Sequence, residues 1–533
     1  MRRGSSFQDQ TWLPMERQRE SPASFFAASS SVRIPVSLTL IAIGVAFAAA
    51  LCASGNYREA ALIAAAALGA GILVSGLISV QTVLVVWFAT TPLASFYVRF
   101  PIDRSILTYN RVVIGLVVVT LLLNSVYNTV SAATESEAEL RSLRTVPRQV
   151  NLSVSKFEVA WALLSVLALA SALARSNNAA YSTRIAVDTF WLPLAAFHIA
   201  RSYLDLRKSG RLLLVGGIAL AWVLFATGAF EIATGSDLFV YKGSDLVREG
   251  ERRVNGPFAA DSSFAIICLI LFLFLLAAPK LFRVRFDRTA RLVYSGSAAG
   301  VALGALLPAF RTVGLALAVS VIVLLWLKEH PNQRSSILRT AMHRGLAPGA
   351  VLIMILIALA GWIATNDPFP GRSRLTNLRS VYGRLASWQG AAEIVLDNPV
   401  LGVGLANYAD YYDATHYYAG EPPEEVLETK AGDSPHSNVL WVGAELGLTG
   451  LALYVAANVY LFLMGWRAVK GARDSRQRLA ASCLLAIVIA YWISGLTLSS
   501  GYYSDLNLYF LFVAGSLNRF SIPHDASAVS ERS

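Results

Sequence analysis

Long apolar stretches recur along the whole chain, and they constrain its fold more than any other feature. A helix that crosses a bilayer needs about 20 mostly apolar residues. A mean hydropathy of +0.53 and a charged fraction of only 15% exclude a soluble protein of several domains. The sequence therefore predicts an all-α polytopic membrane protein with about 12–14 transmembrane helices. The predicted spans lie near residues 34–53, 60–78, 82–98, 112–127, 157–174, 185–203, 212–231, 262–278, 292–309, 312–327, 348–365, 448–466, 479–498 and 504–519.

The distribution of basic residues between these stretches predicts the topology. Lysines and arginines cluster in the connections 201–211, 280–291, 328–344 and 467–478, and cytoplasmic loops of membrane proteins carry such an excess. We therefore expect cytoplasmic tails at 1–33 and 520–533, a transmembrane bundle over 34–365, a large non-cytoplasmic loop over 366–436 and further transmembrane helices over 437–519. The net charge of +11 is spread over short runs, which excludes the single basic patch of a nucleic-acid-binding protein.

The non-cytoplasmic loop, residues 366–436, is the predicted functional region. Loops of about seventy residues between packed elements are usually functional or disordered, and this one carries structural signals. Leu375 to Leu396 has helical apolar spacing, typical of an amphipathic helix along the membrane interface. Asn398-Pro399 ends that helix, and Gly402 and Gly404 permit a tight turn. The tyrosines that follow, at 408, 411, 412, 417 and 418, either stack on sugar rings or belong to an interfacial belt, and the belt is the more common case.

His436, at the end of the loop, is the leading catalytic candidate. Ser434 and Pro435 form a helix-start signal that predicts His436 in the first helical turn. The positive end of a helix dipole favours a nearby anion and disfavours an imidazolium, so a neutral histidine there can accept a proton. The alternative is a histidine that merely caps the helix or bonds the loop.

Three arginines on the same face are candidates for binding a diphosphate. Arg384 lies four residues before Trp388, so the guanidinium and the indole share one helix face and can stack. Arg311 lies between two apolar runs, where a charge at the bilayer edge is costly without water or an anion. Arg253 adds a further cation. The alternative for each is a solvated or snorkelling arginine.

No pattern of metal ligands is complete. The three cysteines each lie inside an apolar stretch, and Asp410 and Asp413 form a pair without a third ligand. The sequence also lacks a Walker A loop, a Gly-x-Ser-x-Gly elbow and a zinc signature. We therefore expect neither a metal nor another cofactor.

Several short motifs, taken in chain order, resemble the O-antigen ligase and polymerase family of lipid-linked glycan transferases. The motifs are Arg384-x-x-x-Trp388, the Asn-Pro-x-x-Gly-x-Gly turn at 398–404, His436-Ser437-Asn438-Val439-Leu440 and Glu-x-Gly-x-x-Gly at 445–450. The resemblance is good over about 375–460, and weaker motifs at 255–258 and 311–312 extend the related region to about 253–460. Many members have asparagine directly after the histidine, whereas this chain has Ser437 and then Asn438.

The resemblance implies a fold of the GT-C type in the bacterial inner membrane and a metal-independent, inverting transfer of a glycan. The donor would be a glycan on undecaprenyl diphosphate, and the acceptor would be lipid A-core, a growing polysaccharide or a protein. His436 and Arg384 would be catalytic, with Arg311 and Arg253 on the diphosphate. Trp388, Gly402, Gly404, Asn438 and Glu445 would be structural. Glu445 either orients the histidine or fixes a helix break beside Gly447, and we favour the second.

Two other classes of protein remain open at this point. A secondary transporter or flippase of lipid-linked glycans would need charged or broken sites at mid-membrane, and few ionisable residues lie within the spans, Asp188 being one. A non-catalytic scaffold of an envelope assembly has no sequence signature against it.

Overall fold

The computed structural model divides the chain into two units, residues 1–79 and 80–533. It describes residues 79–97, 99–100, 107–134, 154–236, 238–239, 254–308, 310–327, 379–415, 434–499 and 503–521. The predicted spans near 34–53, 60–78 and 348–365 lie outside these residues, so the predicted number of spans stays a prediction.

The described residues form an all-α bundle, as predicted, with one very short hairpin. The hairpin pairs β1 (Arg99–Phe100) with β2 (Leu107–Thr108) in antiparallel register. The helices are α1 (Val80–Tyr97), α2 (Tyr109–Thr134), α3 (Lys156–Ala174), α4 (Ala179–Ala186), α5 (Leu192–Tyr203), α6 (Leu206–Thr234), α7 (Asp261–Leu281), α8 (Arg288–Leu306), α9 (Arg311–Leu327), α10 (Arg379–Asp397), α11 (Tyr408–Thr415), α12 (Asn438–Gly471), α13 (Ser475–Gly495) and α14 (Ser504–Ser521). A π-helical turn, Val187–Trp191, joins α4 to α5.

Within the described part of the chain, five helices are long and apolar enough to cross a membrane: α3, α6, α7, α12 and α13. Shorter apolar helices cover Val80–Phe96, Tyr109–Leu122 and Arg311–Leu327. The protein is thus an integral membrane protein. The predicted span at 448–466 lies in the part of α12 that follows a break at Gly447, while the helix itself begins at Asn438.

The centre of the bundle is formed by α7, α13 and α14. Residues of α7 and α13 are buried along most of each helix, which explains why both are apolar on every face. Helix α14 carries Asn507, which interrupts its apolar sequence. Its side-chain oxygen accepts a hydrogen bond of 2.6 Å from the Tyr491 hydroxyl, so this buried polar group is satisfied inside the core.

Contacts between helix termini define two ends of the bundle. At one end Gln81 donates to the Tyr203 carbonyl (3.3 Å), Arg476 donates to the Leu281 carbonyl (2.8 Å), and Arg519 donates to the backbone next to Tyr203. We call this the basic end. At this end, the N-termini of α1 and α13 contact the C-termini of α5, α7 and α14.

The opposite end, which we call the site end, collects the other termini of the same helices. Asn110 at the start of α2 donates to Asp505 at the start of α14 (2.7 Å), and Thr497 after α13 bonds Thr312 at the start of α9 (2.9 Å). The helices therefore alternate in direction between the two ends, which is the arrangement expected of successive membrane spans.

Candidate active site

Helix α12 is broken at Gly447, and the break is where the 398–408 turn docks. Gly447 has φ 67° and ψ −172°, a combination open to glycine alone. In an unbroken helix the N–H groups of Leu448 and Thr449 would donate to carbonyls four residues earlier. Here they donate to Pro399 (2.7 Å) and Val400 (3.4 Å) of the turn.

The carbonyls that lose their helical donors are satisfied by the same turn. Val403 donates to the Ala444 carbonyl (2.9 Å), and Gly404 donates to the Glu445 carbonyl (3.0 Å). Gly402 has φ 66° and lies so close to α12 that a Cβ there would overlap the backbone of Glu445. Turn and helix thus exchange four hydrogen bonds, which pair the backbone groups of α12 that the break would otherwise leave without partners.

The side chain of Glu445 reinforces this junction. It is fully buried, and its carboxylate accepts hydrogen bonds from the N–H groups of Ala406 (2.8 Å) and Tyr408 (3.2 Å). Ala406 has φ 62°, unusual for a residue with a side chain. Two converging N–H groups make an anion-binding concavity, so these contacts favour the helix-break role of Glu445.

Asn407 ties the turn to the connection between α3 and α4. Its amide nitrogen donates to the carbonyls of Arg175 (2.9 Å) and Val403 (3.0 Å), and its amide oxygen accepts from the Asn177 N–H (3.1 Å). The Ser171 hydroxyl also accepts from the backbone of the turn. The sequence analysis did not predict this contact between the turn and the α3–α4 connection. The polar run 175–178, directly after an apolar stretch, was the available signal.

Helix α10 packs on the same junction through a small separate core. Its Ala391 and Ile394 are buried with Val403, Tyr408, Tyr412 and Ala444. The Tyr408 hydroxyl also donates to the Ser387 carbonyl (3.1 Å). The tyrosine belt was therefore wrong for Tyr408 and Tyr412, which are 1% and 7% exposed and pack inside the protein. Tyr417 and Tyr418 lie outside the described residues.

Arg384 and Trp388 lie one helical turn apart on α10, and both side chains are partly buried. The indole nitrogen of Trp388 is buried, and no described residue accepts its hydrogen. Buried indole N–H groups usually have a partner. The helix thus presents a cation together with a donor that the described residues leave unsatisfied, while the stacking of the two side chains stays a prediction.

His436 is not in the first helical turn, so the predicted helix start was wrong. Helix α12 begins at Asn438, and Ser437 is its N-cap residue with an extended backbone; its carbonyl accepts from Trp441 (2.8 Å). His436 precedes the cap in a left-handed conformation, with φ 46°. Such a conformation costs about 1–2 kcal/mol for a residue with a Cβ. Strain of this kind is concentrated at functional sites.

The N-terminus of α12 carries no side-chain cap from Ser437. The first N–H groups of a helix have no partner within the helix, and the helix dipole adds positive potential there. Trp441, in the first turn, is fixed by stacking on Phe190 at a centroid distance of 6.0 Å and an interplanar angle of 9°. His436 therefore lies beside a helix terminus that is fixed in place and suited to an anion.

Of the two remaining arginine candidates, the structure describes only Arg311. Arg311 is the first residue of α9 and is exposed at the site end, where the Thr497–Thr312 contact fixes its helix. Arg253 lies outside the described residues. Directly after it, the N–H groups of Asn255 (2.9 Å) and Gly256 (3.0 Å) donate to the buried carboxylate of Glu231. Sequence reasoning missed Glu231.

A polar cavity of about 370 Å³ opens at the site end, next to the π-helical turn. An ion pair between Arg111 and Asp188 (2.5 Å) lies in its wall. Arg184, whose guanidinium lies 5.0 Å from the centre of the Tyr181 ring, also lines it. Cations and carboxylates balance in this wall, because Asp188 and Asp505 line it together with Arg111 and Arg184. The pairing also explains why a charged Asp188 is tolerated inside a predicted span.

The structure brings Gly402, Gly404 and Glu445 into direct contact and places Arg311, His436 and the α10 helix of Arg384 at the site end. Asn438 is buried against Gly495 of α13, and its structural role stays a prediction. The described residues contain no cluster of three potential metal ligands, and the metal-independent chemistry stays a prediction.

Comparison with known proteins relates one part of the chain to a known family. The profile of the O-antigen ligase family matches residues 256–455. The chain carries an O-antigen ligase domain. That segment runs from the Gly256 turn through α10 and the Gly447 junction, so it contains every candidate site residue except Arg253. The O-antigen ligase domain associates the chain with glycan transfer of the ligase or polymerase type. No curated protein matches the chain.

Proposed function

We propose that this protein transfers a glycan from undecaprenyl diphosphate to an acceptor hydroxyl at the periplasmic face of the bacterial inner membrane. The observation that carries the proposal is His436: a partly buried histidine in a strained backbone, directly before a helix N-terminus without a side-chain cap. The family match over the surrounding residues supports a glycan as the group transferred.

His436 acts as the general base. The acceptor hydroxyl loses its proton to the imidazole as its oxygen bonds to the anomeric carbon of the donor sugar. The bond from that carbon to the diphosphate oxygen breaks, and the diphosphate leaves with the electron pair. Attack opposite the departing group inverts the anomeric centre. The positive potential of the α12 terminus disfavours a positive charge on the histidine before the reaction and favours the anionic diphosphate nearby.

The arginines stabilise the departing diphosphate. Negative charge grows on its oxygens as the sugar leaves, and fixed cations nearby lower the barrier because they favour the transition state over the bound donor. A guanidinium suits this role because its planar fork binds two oxygens at once. We assign Arg384 as catalytic, and Arg311 and Arg253 to the diphosphate.

The 370 Å³ cavity is suited to the sugar part of a substrate. Its wall combines balanced charges with amide and hydroxyl groups and the aromatic rings of Tyr181, Phe258 and Tyr503. Sugars are bound by this combination of polar partners and ring faces. Its volume lies near the lower limit of small-molecule sites, which fits one or two sugar residues.

The test is genetic complementation in the native host, with surface glycans as the readout. We expect that the deletion strain regains its glycans with wild type and with the control Arg291→Ala, an exposed arginine of α8. It should not regain them with His436→Ala or Arg384→Ala at matched expression. Short glycans of single repeats would identify a polymerase, and full-length glycan left on the lipid carrier would identify a ligase. Normal glycans with both variants would contradict the catalytic assignment.

A further inference from the structure

A second cavity, of about 640 Å³, lies at the basic end and has a strongly unbalanced charge. Three segments that are distant in sequence meet there, at the start of α6, the end of α7 and the start of α13. Their charged side chains in the wall are Arg207, Lys208, Arg211, Arg283 and Arg476, with Asp474 as the one acid that lines it. The cavity therefore carries five cationic groups and a single carboxylate.

The acid does not balance the cations. Asp474 caps α13, and one of its oxygens accepts from the N–H groups of Arg476 (2.8 Å) and Gln477 (2.8 Å). None of the three salt bridges among the described residues involves a cation of this cavity. Like charges that share one cavity repel each other. The bias of basic residues to one face explains a lysine or arginine in each connection, but it does not explain why three connections converge.

Arg283 is held in the cavity wall at a position where glycine is normally found. It follows α7 in a left-handed conformation, with φ 53°. The next residue, Val284, donates to the Pro279 carbonyl (3.0 Å), which closes the helix in the Schellman manner. Glycine avoids the steric cost of this conformation and arginine does not. The chain therefore keeps a cation at a position that disfavours it.

Arg476 is positioned in advance on the other side of the cavity. Its guanidinium donates to the Leu281 carbonyl (2.8 Å) and lies 5.1 Å from the centre of the Phe520 ring. These contacts fix the orientation of the planar group while leaving further N–H donors for a ligand. A guanidinium fixed before binding loses little entropy when an anion arrives.

We propose that this cavity binds a phosphate-bearing anion. Two sources carry that chemistry, the headgroup of an anionic phospholipid and soluble phosphate. The phospholipid is favoured because the cavity is formed by the termini of three candidate membrane spans, α6, α7 and α13, at the level where lipid headgroups lie. Basic pockets between membrane helices bind such headgroups.

The experiment uses the full-length protein purified in a neutral detergent. Native mass spectrometry measures retained dioleoyl phosphatidylglycerol against dioleoyl phosphatidylcholine, and thermal unfolding with added inorganic phosphate tests the soluble source. The variants are Arg283→Gly, which removes the cation and relieves the backbone, and the double variant Arg207→Gln/Arg211→Gln. Arg285→Gln is the matched control, because Arg285 is exposed two residues away and does not line the cavity.

We expect wild type to prefer phosphatidylglycerol. Arg283→Gly should weaken this binding about five-fold and the double variant about 25-fold, the effect of one and two lost cations near a headgroup. Arg283→Gly should unfold at no lower temperature than wild type without lipid, so that weaker binding is not a folding defect. Stabilisation by phosphate alone, lost in Arg283→Gly, would identify the soluble source. Equal retention of both lipids without phosphate stabilisation, or equal binding by Arg283→Gly and Arg285→Gln, would overturn the proposal.

Discussion

Substitution of Gly447 by alanine tests whether the turn and the broken helix hold each other. A Cβ at this position would overlap the backbone of Val400 and Gly402. The conformation at φ 67° and ψ −172° would itself cost about 1–3 kcal/mol for alanine. Each of the four exchanged hydrogen bonds contributes about 0.5–1.5 kcal/mol, so the loss of two of them costs about 2 kcal/mol. Together with about 2 kcal/mol of backbone strain, the substitution destabilises the docked turn by roughly 4 kcal/mol.

Amide hydrogen exchange measures this effect at the residues concerned. The N–H groups of Val403 and Gly404 donate across the junction, and they exchange only when the turn opens. Because 1.4 kcal/mol is a factor of ten in an equilibrium constant, about 4 kcal/mol raises their exchange rate on the order of 10³-fold. The lipid-embedded helices keep their internal hydrogen bonds, so exchange within α7 should not change.

The matched control is Gly115→Ala in α2, where an added Cβ meets no atom within 4 Å. This variant should exchange like wild type at the turn and should retain glycan transfer, whereas Gly447→Ala should lose it. Exchange at Val403 and Gly404 within about three-fold of wild type in Gly447→Ala would refute the reasoning, because the four bonds would then not hold the turn.

Three further predictions concern the neighbourhood of the junction. Glu445→Gln leaves one acceptor oxygen for the two N–H groups that the carboxylate now holds, so thermal unfolding should show a loss of about 1–3 kcal/mol; an unchanged unfolding temperature would contradict the carboxylate's role. Asn407→Ala should increase hydrogen exchange at Asn177, with Val400→Ala, an exposed side chain of the same turn, as the control. His436→Gly should abolish transfer, yet thermal unfolding should show it to be more stable than His436→Ala by about 1 kcal/mol, because glycine avoids the steric cost of the left-handed backbone. Equal stability of the two variants would contradict backbone strain at position 436.

The spans were predictable because a bilayer imposes a length and a composition on every crossing helix. The apolar stretch near 262–278 became α7, Asp261–Leu281, with only small changes at its ends. The helix predicted over 375–396 corresponds to α10, Arg379–Asp397. In each case the signal lies in the residues of the element itself.

The start of α12 was not predictable from local signals, because Ser434 and Ser437 are both suitable caps. The structure begins the helix after the second serine. Burial of Asn438 against α13 and stacking of Trp441 on Phe190 fix this choice. Both partners are distant in sequence, so no reading of residues 434–441 alone could have found them.

Side chains that hold the site in place were missed for the same reason. Asn407 reaches a carbonyl 232 positions earlier, and Glu231 holds a turn 24 positions later. Glu231 could have been noticed as a carboxylate at the end of an apolar stretch, since such a charge needs a partner. Its partners, two backbone N–H groups, leave no trace in the sequence.

The Gly447 junction explains how a long loop can hold the proposed base in a fixed place at a membrane surface. A helix broken inside a bundle exposes backbone donors and acceptors, which water cannot satisfy in the interior. Satisfying them from the turn couples the position of the loop to that of the helix, because the two share backbone bonds rather than flexible side chains. His436 precedes this junction on α12, and α10 packs against it. Residues of the turn therefore determine where the proposed base and Arg384 lie without touching the substrate, and changes there should impair transfer as severely as changes to the reacting groups.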